Sequence, residues 1–458
     1  MLIQMAGHAC LLCETEDTRI LMDPWISGPA NFRSWWHFPE VNFNLAQLPR
    51  LDYIYISHLH NDHFHPATLA QIEQRPVILV PRLYHSRLIR HLHQLGYTKI
   101  VELPHGKEVA LSPLTSVQCL QMGNDSLLVV GDSTATMLNA NDCLQGNDPS
   151  VTLPLLRSLS ERRKLDIAFL AFGTAGPYPK CYRFEDSKEG MDPRLKERAM
   201  VNTFVQGAMT VRAKAAVPFA GGFALLADKL MWMNNVKSTP RDALEALWAK
   251  DANLDGFEMN PGDVWDSGGG LTKVHPGVDW NRRLEIIREL QKVHAADLKR
   301  IETEEQQGPP NLYELFQSRL TQNLRSFPFL RRQMNCSLLF QVEGSPGGQW
   351  EVDLRRSSGC FREGDSGDWL IRITIPSSLL AAVVTDPDGW ETLGISYKLD
   401  VTMKKGALAK EGLLNRLIHT PTPLGFIRLL LAPRFAEFVL RRRREFMKLF
   451  QQKLFARA

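Results

Sequence analysis

A cluster of histidines that directly follows a short apolar segment constrains this chain more than any other feature. Residues 53–56 are β-branched or aromatic and are bounded by polar residues, which predicts a buried strand. Four histidines and an aspartate then lie within eight residues, namely His58, His60, Asp62, His63 and His65. A helix is predicted from Ala67 onward, so these side chains occupy a strand exit and a turn that can bring several ligands to one point. Imidazole and carboxylate together suit zinc, iron or manganese, and the first four of these residues therefore predict a metal site.

Length, charge and cysteine content exclude several classes of protein. A chain of 458 residues predicts two or three domains. The formal net charge is +4 and no basic stretch is interleaved with aromatic residues, so we expect no nucleic-acid partner. The 7 cysteines are spread thinly and no basic segment precedes an apolar run at the start, which favours a reducing cytoplasm. Uncharged stretches such as 215–227 fall short of the roughly 18 residues that span a bilayer, and no transmembrane segment is expected.

The pattern His-x-His-x-Asp-His after a strand resembles the metallo-β-lactamase superfamily. Further segments match, in the same order, the branch of the CMP-N-acetylneuraminate hydroxylases: residues 22–30, Trp35-Trp36, 138–143, 172–179, 218–223 and 260–262. The resemblance covers about residues 1–280. It implies an α/β fold of the αββα sandwich type with a metal centre at one edge between two sheets. It also implies a non-haem iron oxygenase that hydroxylates a nucleotide-linked sugar.

The resemblance further implies two ligands for which this sequence has no histidine. Members of the superfamily usually add a third histidine before a bridging aspartate and a fourth near the end of the domain. No histidine occurs between His105 and His275, and Gln121 and Asp228 lie about where the two would fall. One or two metal ions are therefore expected, with iron favoured and zinc as the alternative.

Two aspartates are candidates for the bridging carboxylate that the resemblance implies. Strands are predicted over 126–130 and 135–139, and Asp132 lies in the turn between them. Asp142 follows the exit of the second strand, at the end of the sheet where a ligand is expected. We therefore expect Asp142 to be the ligand, and the alternative interpretation is a loop or helix-capping residue.

Other residues are expected near the centre without being ligands. Asp23 ends a predicted strand over 19–22, and its match in the family implies an acceptor that orients a metal-bound histidine; the alternative is a turn residue. His8 follows the first strand and is expected either beside the same cleft or away from it. Trp35 and Trp36 are interpreted either as lining a substrate pocket or as covering a sheet edge.

Two patterns nearby are interpreted as structural. His65 falls outside the ligand spacing and is expected to be an exposed residue before Pro66. Cys10 and Cys13 form a C-x-x-C, but residues three apart in a strand face opposite sides and no second pair follows.

The hydroxylases that this chain resembles carry a Rieske iron–sulfur domain ahead of the metal-binding domain. Such a centre needs two cysteines and two histidines at close spacing. This chain begins directly with a predicted strand over 2–14 and contains no such constellation. We therefore expect electrons to come from another protein, an external reductase or a ferredoxin-type donor, and we expect a small-molecule substrate.

The second half is predicted to form a smaller domain. Apolar residues at helical spacing predict one helix over 280–307, which ends at Gly308-Pro309-Pro310. The elements that follow are helices at 312–324 and 377–384 and strands at 337–342, 350–354 and 369–375. They predict an α+β domain that is weakly similar to sterol-carrier proteins, with a family-specific cap or dimerisation domain as the alternative. The predicted division is 1–275 catalytic domain, 276–311 connecting helix and linker, 312–422 α+β domain and 423–458 terminal helix.

The terminal segment over 423–458 carries most of the basic charge. It has nine basic and two acidic residues, which gives +7 and leaves −3 for the rest of the chain. Its apolar residues recur at helical spacing. We interpret it as a helix packed on the protein, with contact to a membrane surface or to an acidic redox partner as the alternative.

Three functions are compatible with these patterns. In the favoured one, His58, His60, Asp62, His63 and Asp142 hold the metal of an oxygenase that uses an external electron donor. In the second, the metal activates water for hydrolysis of a lactone, ester or phosphodiester, and Asp62 takes the proton. In the third, a site too poor in histidine to bind metal leaves the domain as a scaffold.

Overall fold

The computed structural model describes residues 1–41, 43–145, 148–185, 190–274, 276–356, 360–386, 389–419 and 433–443. Its strands are β1 (Leu2–Gly7), β2 (Cys10–Glu14), β3 (Arg19–Met22), β4 (Trp35–His37), β5 (Tyr53–Tyr55), β6 (Val77–Pro81), β7 (Ile100–Leu103), β8 (Glu108–Ala110), β9 (Ser116–Met122), β10 (Asp125–Gly131), β11 (Thr136–Asn139), β12 (Ile167–Ala171), β13 (Tyr182–Phe184), β14 (Ala215–Phe219), β15 (Phe223–Leu225), β16 (Val264–Asp266), β17 (Gly270–Thr272), β18 (Ser337–Glu343), β19 (Gly348–Asp353), β20 (Cys360–Glu363), β21 (Ile371–Pro376) and β22 (Asp400–Met403).

The helices are α1 (Pro66–Gln71), α2 (Arg87–Gln94), α3 (Pro149–Arg162), α4 (Pro193–Val211), α5 (Pro240–Trp248), α6 (Arg283–Val293), α7 (Ala295–Glu305), α8 (Leu312–Ser326), α9 (Pro328–Met334), α10 (Ser377–Thr385), α11 (Gly389–Ser396), α12 (Glu411–His419) and a last described helix, Pro433–Arg441. A 3₁₀ helix spans Asp228–Asn235.

Two sheets packed face to face form the first half of the molecule. Their strand orders are β17-β16-β1-β2-β3-β5-β6-β7 and β14-β12-β11-β10-β9-β8. Alternating apolar residues point from both sheets into one core, for example Ile3 and Leu11 from the first and Leu128 and Val217 from the second. Helices α1 and α2 cover the outer face of the first sheet, and α3, α4 and α5 cover that of the second. The predicted αββα sandwich is confirmed.

Strand periodicity separates the two cysteines of the C-x-x-C. Cys13 packs in the core between the sheets, whereas Cys10 packs on the other face, under the outer helices. The prediction that the two face opposite sides of a strand is confirmed.

Two predicted elements are each divided in the structure. The strand predicted over 2–14 is a hairpin of β1 and β2, because the chain reverses at Gly7 and His8, where φ is 152° and 44°. The helix predicted over 280–307 is α6 followed by α7, and the two meet at His294. Apolar periodicity continues through both breaks, so it did not reveal them.

A third sheet, with the order β13-β22-β21-β18-β19-β20, forms the C-terminal α+β part. Helices α8, α10 and α12 pack on it around a core that includes Phe316, Phe340 and Leu380. The predicted strands and helices of this part are present, and the additional elements are β20, β22, α9, α11 and α12. The edge strand β13 comes from residues 182–184 and pairs in parallel with β22, so one strand of this sheet lies in the segment assigned to the catalytic domain. The predicted domain bounds stay a prediction.

The predicted terminal helix is described only over 433–443, and the rest of 423–458 lies outside the described residues. In the described part, Arg434 Nη1 lies 2.8 Å from Glu102 Oε2 of β7, and the Phe438 ring lies 4.6 Å from the Tyr84 ring. This part therefore packs on the edge of the first sheet. Within the described ranges no helix has the length and apolar character needed to cross a membrane.

Candidate metal centre

The candidate centre lies at the exits of strands from both sheets. Strands β3 and β5 pair in parallel, and Asp23 and residues 57–63 directly follow them. Asp142 follows β11 of the second sheet. Backbone hydrogen bonds of 3.0 Å from His63 N and 2.7 Å from Phe64 N to His60 O close a tight turn within the motif. The local turn and the packing of the two sheets together bring the predicted ligands to one edge.

His58, His63 and Asp142 form one candidate metal-binding group. Their ligand atoms all lie within 4.8 Å of one another, and His63 Nε2 lies 3.6 Å from Asp142 Oδ2. His63 is fully buried, and its Nε2 has no hydrogen-bond partner among the described residues. A buried ring nitrogen without a partner is costly, and here it lies beside a carboxylate. These residues therefore fit a divalent cation.

The charges at this group favour a cation. Burial alone would lower the pKa of His63, but the negative charges of Asp142 and Asp23 outweigh burial and raise it. The negative potential that holds a proton on His63 would equally hold a metal ion in its place.

A second group consists of His8, Asp62 and His63, whose ligand atoms also lie within 4.8 Å. His8 Nε2 lies 3.1 Å from Asp62 Oδ2, and Asn31 Nδ2 donates to Asp62 Oδ1 at 3.2 Å. Burial opposes ionisation of Asp62, but the charge of His63 and the hydrogen bond with His8 outweigh it and lower the pKa of Asp62 below its ordinary range. The structure thus places His8 beside the centre, and His63 belongs to both groups.

Asp23 holds the ring of His63 from behind. It is fully buried, and its Oδ1 accepts a hydrogen bond of 2.7 Å from Ser57 N. Its Oδ2 accepts from Ser57 Oγ at 2.7 Å and from His63 Nδ1 at 2.8 Å. In the neutral ring that would bind a metal, Nδ1 carries the proton donated to Asp23, and the lone pair of Nε2 is directed between Asp62 and Asp142. Asp23 makes the orienting contact that the resemblance implies.

His60 lies at the junction between the centre and the C-terminal part of the chain. Its Nδ1 is 2.8 Å from His58 Nε2, and its Nε2 is 3.2 Å from Glu391 Oε1 in α11. Burial lowers the pKa of His60, but the hydrogen bond and charge of Glu391 outweigh burial and raise it to about 9. Sequence reasoning missed Glu391, because no local pattern connects α11 with the histidine motif.

Asp125 is a second residue that sequence reasoning missed. It begins β10, and its Oδ1 lies 3.1 Å from His58 Nδ1, beside Ser57 Oγ at 2.8 Å from the same nitrogen. The sequence offered one signal for Asp125. It begins β10, and the neighbouring strand β11 leads to Asp142, so both aspartates lie at the same end of the sheet. Asp125 joins the residues that can position His58.

The two substitutes considered for the missing histidines make hydrogen bonds to other partners. Gln121 Nε2 donates to Gly123 O at 3.4 Å, and its backbone N donates to His105 Nδ1 at 2.9 Å. Asp228 is exposed, and its Oδ1 accepts a hydrogen bond of 2.6 Å from Gln291 Nε2. Asp228 belongs to neither of the two candidate groups among the described residues.

His65 and Asp132 have structural roles. The expectation that His65 is exposed is wrong: it is buried, and its Nδ1 accepts a hydrogen bond from Thr68 N at 3.2 Å at the start of α1. The ring caps the helix, so its Nδ1 stays hydrogen-bonded when it is buried, which explains the difference. Asp132 lies in the predicted turn, where its Oδ1 accepts from Thr134 N and Ala135 N at 2.8 and 2.9 Å.

A recess beside the centre is lined by Asp62, Asp142, Trp35 and Phe223 among other residues. The rings of Trp35 and Phe223 stack with centroids 3.5 Å apart and planes 3° apart. Trp35 Nε1 donates to Ile395 O at 3.0 Å, so the C-terminal part fixes this wall as well. Trp36 points the other way and packs with α6 and α7, because adjacent strand residues face opposite sides.

Parts of this chain are similar to one family model and to two curated proteins described here. Residues 2–127 match the model of the beta-lactamase superfamily domain. A Mycobacterium tuberculosis protein whose name describes a Rieske 2Fe-2S iron-sulfur protein is 31% identical over 253 residues, 52% of this chain and 47% of that protein. Cytidine monophosphate-N-acetylneuraminic acid hydroxylase of Mus musculus is 29% identical over 276 residues, 57% of this chain and 46% of that protein. The chain spans about half the length of the curated relatives it matches.

A solved structure is similar to part of the chain. The structure of CmlA, a diiron β-hydroxylase from Streptomyces venezuelae, matches 57% of this chain and 52% of its own chain, with a TM-score of 0.40 and 18% identity.

Proposed function

We propose that the protein is a metal-dependent enzyme and that it acts as a non-haem iron oxygenase. The premise is the match of residues 2–127 to the beta-lactamase superfamily domain. The observation that carries the proposal is the mixed donor set: two overlapping groups of imidazoles and carboxylates share His63, and His60 lies beside them. Sites that combine imidazole with carboxylate suit iron as well as zinc and manganese. The similarity to a protein named as a hydroxylase over 276 residues supports this choice.

The residues of both groups would hold the metal, namely His8, His58, Asp62, His63 and Asp142, with His60 as the sixth candidate. Iron bound there would activate O₂ for insertion of an oxygen atom into a C–H bond of a small-molecule substrate. Asp23 keeps Nε2 of His63 directed into the site, and Asn31 keeps Asp62 from rotating away. The stacked rings of Trp35 and Phe223 form an apolar wall that limits access of bulk water to a bound substrate.

Hydroxylation by O₂ places one oxygen atom in the product and the other in water, and it consumes two electrons and two protons. We propose a separate reductase or ferredoxin-type protein as the source of these electrons. A cytoplasmic location, where such donors occur, is part of the same proposal.

Elemental analysis of the purified full-length chain, combined with O₂ uptake, tests the oxygenase. We expect one or two iron ions per chain and O₂ consumption that requires a ferredoxin and its reductase. His58→Ala and His63→Ala should lose the iron, whereas His91→Ala, on α2, should retain it. Zinc instead of iron, no O₂ uptake with any donor and hydrolysis of an ester or phosphodiester would together contradict the proposal.

Hydrolysis of a lactone, ester or phosphodiester is the second candidate function. The observation that favours it is the position of Asp62, a buried carboxylate in the wall of the recess, where it could accept a proton from an attacking water. In that case Asp62→Asn should abolish hydrolysis by the zinc-loaded protein, while the content of zinc falls less than it does in His63→Ala.

A further inference from the structure

The recess beside the candidate metal centre contains a lysine as well as two aspartates. Lys237 follows the 3₁₀ helix Asp228–Asn235 and belongs to the lining together with Asp62, Asp142 and Ser238. Its Nζ lies 3.0 Å from the centroid of the Phe223 ring and donates a hydrogen bond to Phe223 O. The ammonium group is therefore held at the wall of the recess by a ring face and a neutral carbonyl.

The nearby ion pair of Lys180 and Glu197 uses the carboxylate that could otherwise pair with Lys237. Lys180 Nζ donates to Glu197 Oε1 at 2.7 Å, and Glu197 Oε2 accepts a hydrogen bond of 3.2 Å from Ser238 N. Both oxygens of this carboxylate are thus used by other donors. Among the described residues, Lys237 forms no ion pair with a carboxylate.

The surroundings of Lys237 are unfavourable for an ammonium that stays alone. Burial and the positive charges of Lys180 and Arg283 lower the pKa of Lys237 well below its ordinary value. At this half-buried position an ammonium group without an anionic partner costs free energy, and the ring face of Phe223 offsets only part of that cost. An anion that enters the recess would restore the partner.

We propose that Lys237 is the recognition residue of an anion subsite, and that the substrate carries a carboxylate or phosphate group that pairs with it. Ser238, in the same lining, offers a hydroxyl donor to this group. Trp35, Phe223, Asp62 and Asp142 line the same recess, so an anion paired with Lys237 would lie beside the candidate metal centre. The inference rests on the proposed function, because the subsite belongs to the recess of the same metal centre.

Binding of inorganic phosphate and of acetate to the metal-loaded full-length chain tests the subsite by titration calorimetry. In Lys237→Met the stem of the side chain is retained and the charge is removed. We expect its affinity for the bound anion to fall about tenfold or more relative to the wild type, because a charged hydrogen bond is lost. Without the anion, Lys237→Met should melt at the same or a higher temperature, since no unpaired ammonium remains at this half-buried position. Lys250→Met, at an exposed lysine after α5, should bind the anion as the wild type does.

Each outcome decides the proposal. Lys237-dependent binding of phosphate alone identifies a phosphate-bearing substrate, and that of acetate alone identifies a carboxylate-bearing one. No binding of either anion to the wild type, or equal binding by the wild type and Lys237→Met, would overturn it. The measurement needs neither O₂ uptake nor a particular metal, so its failure leaves the oxygenase proposal standing, and a protein that consumes no O₂ can still confirm the subsite.

Discussion

His63 has a ring whose two nitrogens have separate tasks. Nδ1 donates to Asp23 at 2.8 Å, and Nε2 is buried between Asp62 and Asp142 at 3.6 Å from each. Asp23 is itself held by Ser57, which is one residue before the first histidine of the motif. The orientation of the central ligand thus depends on a carboxylate that would not touch the metal.

Replacement of Asp23 by asparagine tests this dependence. Asparagine can still accept the hydrogen bond from Ser57 N, but its amide nitrogen cannot accept one from His63 Nδ1. We expect metal affinity to fall about 10–100-fold while the fold is retained, as is usual when an orienting partner is lost. Competition with a chelating dye measures the affinity. Asp132→Asn, at the turn between β10 and β11, is the control, and an unchanged affinity in Asp23→Asn would show that Asp23 is only structural.

The carboxyl group of Glu351 in β19 should make the free energy of unfolding depend on pH. Burial raises its pKa, but hydrogen bonds from Ser337, Ser366 and Arg362 outweigh burial and lower it from 4.5 to about 2. The folded state therefore prefers the ionised carboxylate, so its contribution is present above about pH 4.5 and is lost as the pH falls towards 2. Glu351→Gln should lower the free energy of unfolding at pH 7 by about 1–3 kcal/mol. Urea unfolding at pH 7 and at pH 3 measures the difference between variant and wild type, which should shrink at the lower pH; a difference independent of pH would contradict the role of its charge.

At the scale of elements, α7 and the segment after α11 are joined through a buried ion pair. Lys398 Nζ donates to Glu305 at the end of α7 and, at 2.8 Å, to Phe32 O. The side chains of Lys398 and Glu305 are only 4% and 7% exposed. Phe32 is next to Asn31, which contacts Asp62, so the pair supports a loop that reaches the centre.

Removal of one partner of the Lys398–Glu305 pair should lower the free energy of unfolding much more than removal of both. Glu305→Gln leaves the ammonium of Lys398 buried without its counter-ion, and we expect a loss of about 3–5 kcal/mol in the free energy of unfolding. The double variant Glu305→Leu with Lys398→Met should recover most of this loss, because neither charge then remains buried. Glu245→Gln, in an exposed pair with Arg241, is the matched control and should cost about 0–1 kcal/mol. Chemical denaturation measures all four proteins, and equal losses in the single and double variants would contradict the argument.

At the scale of the whole molecule, a strand pairing and a common hydrophobic cluster join the sandwich to the C-terminal sheet. Strand β13 pairs with β22, and one hydrophobic cluster combines Trp25 and Trp35 with Ile395 and Tyr397. Glu391 and the carbonyl of Ile395 also contact His60 and Trp35 at the candidate site. The C-terminal part therefore completes both the core and the surroundings of the centre.

A chain limited to residues 1–311 should not behave as a stable catalytic unit. It would leave β13 without its partner strand and would expose the aromatic side of the shared cluster. We expect it to aggregate or to bind a hydrophobic dye, and to retain less metal than the full-length chain. Size-exclusion chromatography and metal analysis measure these properties. A monomeric fragment that unfolds cooperatively and keeps the full metal affinity would show instead that the two parts are independent, as the predicted boundary near 275 implies.

The sequence by itself determined the local part of the site. A strand exit and a tight turn are properties of neighbouring residues, so the spacing of His58, His60, Asp62 and His63 was sufficient to place them together. Asp142 could be chosen over Asp132 because a turn between two strands and a strand exit lie at opposite ends of a sheet. The αββα sandwich was predicted because motifs of this kind resemble those of the metallo-β-lactamase superfamily.

Only the tertiary structure decided which distant residues meet these histidines. Strand pairing and core packing bring Asp125, Glu391 and Lys237 to the centre. Both depend on the burial of apolar faces, which does not identify in the sequence which residues will meet. The same reason explains the hairpin at His8 and the transfer of β13 to the third sheet, since periodicity specifies which face of an element is buried but not the partner that buries it.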